Sequence, residues 1–104
     1  MSNRPATGAR FLLERLAEHE ADAGALATAT YRATVFTPDA EFTATATLRD
    51  DGTFELPATG APEDLHDGLS MQARLIARGA AKRREDGLGA WPTRVLRWRG
   101  PGRG

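Results

Sequence analysis

Between Ala25 and Pro57 apolar and polar residues alternate with a period of two, the spacing that gives a strand one apolar and one polar face. In a first strand, Ala25–Phe36, one face carries Ala27, Ala29, Tyr31, Ala33 and Val35, and the other Thr28, Thr30, Arg32 and Thr34. In a second, Glu41–Arg49, Phe42, Ala44, Ala46 and Leu48 oppose Glu41, Thr43, Thr45, Thr47 and Arg49. Thr37-Pro38-Asp39-Ala40 has turn chemistry, with the fixed φ of Pro38 at the first corner. Closing that turn sets Phe36 opposite Glu41, Val35 opposite Phe42 and Ala33 opposite Ala44, so apolar residues meet apolar residues. At the next hairpin a two-residue Asp51-Gly52 turn would set Arg49 against Phe54, which the pleat forbids. A three-residue loop, Asp50-Asp51-Gly52, sets Arg49 against Thr53 and Leu48 against Phe54, and it requires Gly52 at positive φ.

Helical spacing flanks this meander. Leu12, Leu13, Leu16 and Ala17 predict a first helix over about Gly8–Ala23, with Gly24 as its stop. A second opens at Pro62, with Glu63 and Asp64 suiting the positive end of the helix. Its inward stripe is Leu65, Leu69, Ala73, Ile76 and Ala80, and Gly68 inside that stripe raises the question of a break. Trp91-Pro92 leads into a last strand, Thr93–Arg99. The fold class predicted is therefore α+β, in the order helix-strand-strand-strand-helix-strand. The three-strand antiparallel meander is joined by a C-terminal strand parallel to a neighbour, and both helices lie on the alanine-rich face. In such a four-stranded sheet the long 25–36 strand is a candidate open edge. Residues 7–99 are expected to form the single domain, with 1–6 and 100–104 as glycine- and polar-rich tails.

Composition narrows the chemistry. The 104 residues include no cysteine, which excludes disulfides and thiolate metal sites. No secretory leader or membrane-length apolar run is present, so the expectation is a cytoplasmic chain without membrane partners. The balanced total charge conceals two halves: residues 1–68 hold 12 acids and 5 bases, whereas 69–104 hold 2 acids and 9 bases.

That basic third makes Arg74, Arg78, Lys82, Arg94, Arg97, Trp98 and Arg99 candidates for holding single-stranded nucleic acid or another partner, by arginine on phosphate and stacking on tryptophan. One of Trp91 and Trp98 is expected in the core. The threonine face is a candidate homodimer surface, through Leu26, Thr28, Thr30, Phe36, Thr43, Thr45 and Thr47. His66 with Glu63, and His19 among acids, fall short of a metal motif; no glycine loop for phosphate or serine elbow accompanies them. No cofactor is implied. The reading is a non-enzymatic module that binds a macromolecular partner or itself. Nucleic-acid binding is the alternative, and a ligand pocket between helices and sheet a further one.

Overall fold

The computed structural model describes residues 4–19 and 27–99. Its elements are β1 (Ala9–His19), β2 (Thr28–Phe36), β3 (Glu41–Arg49), β4 (Phe54–Glu55), α1 (Glu63–Glu85) and β5 (Arg94–Arg99). They form an α+β unit: a five-stranded antiparallel sheet ordered β4-β3-β2-β1-β5, covered on one face by α1.

The meander has the register its side-chain pattern requires. Phe36 faces Glu41, Val35 faces Phe42, Ala33 faces Ala44, and Leu48 faces Phe54. At the second hairpin the Arg49 N–H donates to the Thr53 carbonyl at 2.9 Å, and Gly52 has φ +90°. Asp51 closes the loop by accepting from the Thr53 N–H and hydroxyl, and these bonds hold its carboxyl below the ordinary value. A Cβ at position 52 would also lie 3.3 Å from Arg78 Cγ. Gly52→Ala is therefore expected to lower the stability by about 1 kcal/mol, read as a shift in the denaturant midpoint.

The first helix is overturned. Ala9–His19 is a strand, paired antiparallel with β2 on one side and β5 on the other. Helical spacing arose because β1 is buried on both faces at once around Phe11–Leu13. Phe11 and Leu13 point to α1, and Leu12 points the other way yet is only 3 % exposed. Adjacent buried leucines erase the alternation that marks a half-buried strand. A register shift between Arg15 and Ala17 then leaves Leu16, placed on the core face of the expected helix, 49 % exposed. Among the described residues there is one helix; the proposed stop at Gly24 lies outside them.

The C-terminal strand also needs correcting. β5 runs in the same direction as β2, as expected, but lies beside β1 and antiparallel to it. Unrecognised, β1 could not be offered as the neighbour. Its insertion makes β2 a central strand rather than the open edge, and the connection that contains α1 joins the two edge strands, β4 and β5.

Helix α1 is unbroken from Glu63 to Glu85, with Pro62 at its N-cap and acidic residues in its first turn. Leu69, Ala73, Ile76, Ala77 and Ala80 are its buried stripe, set against Ala29, Tyr31, Ala33, Ala46 and Leu48 of the sheet. Alanine on both surfaces allows close approach, and the ring of Phe11 points at Gly68. The helix ends in a Schellman arrangement: Gly87 (φ +78°) donates to the Arg84 carbonyl and Leu88 to that of Arg83. Its axis crosses the sheet obliquely. Near its start Asp64 accepts from Arg99 of β5, whereas near its end Arg84 reaches Asp50 beyond β3.

Candidate functional site

The oblique course of α1 leaves its C-terminal half diverging from β5, and what lies between and beside them is the most unusual surface of the chain. Among the described residues β5 has one strand partner, β1, and its other side is a sheet edge. Antiparallel pairs alternate between residues that exchange both hydrogen bonds and residues whose N–H and C=O point away. The Arg15 N–H donates to the Thr93 carbonyl at 2.9 Å, which places Thr93 in a bonded pair. Counting on by two, Val95 and Arg97 also face β1. Arg94, Leu96 and Trp98 therefore turn their main-chain groups to the open edge. In agreement, the Leu96 carbonyl is met by the Arg97 side chain at 2.9 Å, an exposed contact.

Three hydrogen bonds fix the approach to this strand. Arg15 Nη1 donates to the Trp91 carbonyl at 2.8 Å, the Arg15 N–H to Thr93, and the Tyr31 hydroxyl to the Pro92 carbonyl at 2.5 Å. Tyr31 is fully buried, and burial pushes its phenol from 10.0 to about 12 against the partial relief of the Arg15 charge. Trp91, 3 % exposed, is the core tryptophan, and Trp98, 60 % exposed, is the surface one. Trp98 stands on the sheet face away from α1, opposite Arg10, with its Nε1 3.4 Å from the Thr7 carbonyl.

On the helix side a groove of about 370 Å³ separates β5 from α1, walled by Leu75, Ile76, Gly79, Arg83, Val95 and Arg97. It is open to solvent rather than enclosed. Arg94 and Arg97 have no carboxylate within ion-pair distance among the described residues.

The basic candidates do not form one track. Arg94, Arg97, Trp98 and Arg99 share β5, with Arg94 and Trp98 on one face and Arg97 and Arg99 on the other. Arg99 is held by Asp64. Arg78 lies over the β3–β4 turn at the opposite flank of α1, Arg74 is one turn before it on the same side, and Lys82 pairs with Asp86 at 3.1 Å.

The threonine surface is likewise divided. Thr43 and Thr45 are exposed, and Thr28, Thr30 and Thr47 are half-buried. Thr34 is buried and accepts a hydrogen bond from Thr43. Phe36 is 7 % exposed and so is not offered to a partner. Arg4 reaches Glu41 of β3, and Trp98 of β5 donates to the Thr7 carbonyl, so the chain ahead of β1, in which Pro5 is buried, crosses this end of the face. Leu26 lies outside the described residues.

Sequence reasoning did not single out Leu96, and it set Leu12 on a helix rather than on the outer face of the sheet. With Thr34 these two leucines form a row across the outer face, Thr34–Leu12–Leu96, ending at the open edge. The one signal for Leu96 was an apolar residue midway between Arg94 and Trp98. Among the described residues no three histidine or carboxylate groups gather as a metal set, and no helix is long and apolar enough to cross a membrane. No family model, curated protein or solved structure matches the chain.

Proposed function

We propose that the protein is a non-enzymatic interaction module that takes up another polypeptide by strand addition at β5. The observation that carries this reading is the run of outward main-chain groups at Arg94, Leu96 and Trp98 on a regular strand with no bulge and no proline. Natural sheets blunt such edges with bulges, proline or charged side chains, lysine above all, because unpaired N–H and C=O groups recruit another strand; β5 has neither of the first two, and its charges are arginines. Here the edge is six residues long, carries an exposed tryptophan, and includes Arg94 and Arg97, which have no carboxylate partner among the described residues. Each added main-chain hydrogen bond contributes about 1 kcal/mol net, and side chains alternating over the two faces supply selectivity.

Nucleic acid fits less well. A phosphate track needs its cations in line, and Arg74 and Arg78 stand on the flank of α1 away from β5. The groove beside β5 gives no support to a pocket enzyme, because it is an open trough with no pair of acid and base groups in it.

The test is a nuclear magnetic resonance titration with a short synthetic peptide of alternating glutamate and valine. The amide signals of Arg94, Leu96 and Trp98 should shift and become protected from exchange, while Val95 and Arg97, already bonded to β1, change little. Equal small shifts scattered over the chain, with the three edge amides unprotected, would contradict strand addition.

A further inference from the structure

We infer that the strand β5 accepts is β5 of a second copy, in a two-fold antiparallel pair centred on Leu96, so that two five-stranded sheets become one. The inference rests on the strand-addition reading and supplies its partner. A two-fold pair must set outward-facing residues against outward-facing residues. Centring on Leu96 sets Leu96 against its own mate, Arg94 against the partner's Trp98 and Trp98 against the partner's Arg94. Every outward N–H and C=O of β5 is then used.

Neighbouring registers are worse for reasons visible in the sequence. Centring on Val95 sets Trp98 against Pro92, which has no N–H to give. Centring on Arg97 sets that arginine against its own mate, and like charges directly opposed are destabilising.

Side chains reinforce the Leu96 register. On the face away from α1 the Thr34–Leu12–Leu96 row continues through the axis into the partner's Leu96 and Leu12, making one apolar band across both sheets. Leu12 is already buried, and Leu96 is half-buried at the edge that the partner would cover. Flanking the band, each Arg94, which has no ion-pair partner among the described residues, meets an indole that is 60 % exposed. An arginine over a tryptophan face is attractive, more so once water leaves. Glu14 lies opposite Arg94 on β1, so the row across the interface reads Glu14, Arg94, Trp98, Arg10. On the helix side Val95 meets the partner's Arg97, and the apolar stem of that arginine covers the valine.

Sedimentation of the full chain from about 1 μM to about 1 mM, the span over which weak to moderate dimers titrate, tests the inference. The wild-type mass should rise from one chain to two and stop there, because a two-fold pair closes. Leu96→Pro removes no hydrogen bond within the sheet, because the lost N–H points outward, and it also shortens the apolar row at the axis; it should keep the circular dichroism of the wild type and remain a monomer throughout. Trp98→Ala leaves the backbone untouched and removes both arginine contacts at once; it should weaken dimerisation at least about tenfold. Three results would overturn the inference. One is a monomer at every concentration. Another is a dimer indifferent to both variants, and the last is growth beyond two chains. A monomer whose edge amides respond to the glutamate–valine peptide would retain strand addition and lose the second copy. A monomer with silent edge amides would remove both readings. Saturable binding of a single-stranded RNA, weakening steeply with salt and abolished by Trp98→Ala in a monomer, would instead assign the strand to nucleic acid.

Discussion

Tyr31→Ala is expected to lose about 3–5 kcal/mol, the range for removing a buried aromatic ring, and to unfold much of the chain at ordinary temperature. Tyr31 is fully buried at the centre of the sheet, beneath α1, with alanines beside it at 29, 33 and 46 that cannot fill the space it would leave. Its hydroxyl also anchors the Pro92 carbonyl just ahead of β5. Tyr31→Phe separates the two roles. It keeps the ring and strands the carbonyl, at an expected cost of about 1–2 kcal/mol.

This residue sets a pH dependence as well, because it is the only tyrosine in the chain and its phenol is raised from 10.0 to about 12 by burial. Between the unfolded value and the folded one, the folded state binds more protons than the unfolded state. Stability contributed by the neutral phenol is therefore complete below about pH 10 and is lost as pH rises towards 12. Denaturant midpoints measured through that window should fall for the wild type more steeply than for Tyr31→Phe. Parallel curves would show that the phenol ionises without resistance.

Gly68→Leu is expected to be the other severe substitution, costing 3 kcal/mol or more, by the upper end of the overpacking range (~1–3 kcal/mol and occasionally beyond). Helix propensity alone argues the reverse, since replacing a mid-helix glycine with alanine ordinarily gains about 1 kcal/mol. The structure decides the sign. A Cβ at 68 would sit 2.6 Å from the tip of the Phe11 ring and 3.0 Å from the next atom, and Phe11 is itself only 4 % exposed. Even Gly68→Ala should therefore lower the thermal midpoint. Pairing it with Phe11→Leu should recover part of the loss, because the shorter side chain vacates the contact. A stabilised Gly68→Ala would mean that the ring retreats freely and that α1 does not lie this close to β1.

The sequence was most legible where one sheet face meets water. β2 and β3 alternate because Thr28, Thr30, Thr43 and Thr45 face outward while alanines face α1, and parity alone then placed Gly52 at positive φ. β1 was illegible for the opposite reason: Leu12 and Leu13 are both buried on opposite faces, and the shift at Arg15–Ala17 supplies a false helical period. Losing β1 also hid the neighbour of β5. Of the candidate surface, Arg94, Arg97 and Trp98 could be named from charge and aromaticity. Whether Arg74 and Arg78 joined them could not, because that depends on the angle at which α1 crosses the sheet. Leu96 carried only the weak signal of an apolar residue between Arg94 and Trp98; its importance comes from which way its main chain faces.

That facing is the claim on which the account turns, and residue-resolved amide hydrogen exchange tests it most directly. In dilute solution Val95 and Arg97 should exchange slowly and Arg94, Leu96 and Trp98 fast. In concentrated solution the three fast amides should become protected together, with little change elsewhere on the sheet. Protection of Leu96 at every dilution, or none at any concentration, would contradict an open β5 edge that closes on a second copy.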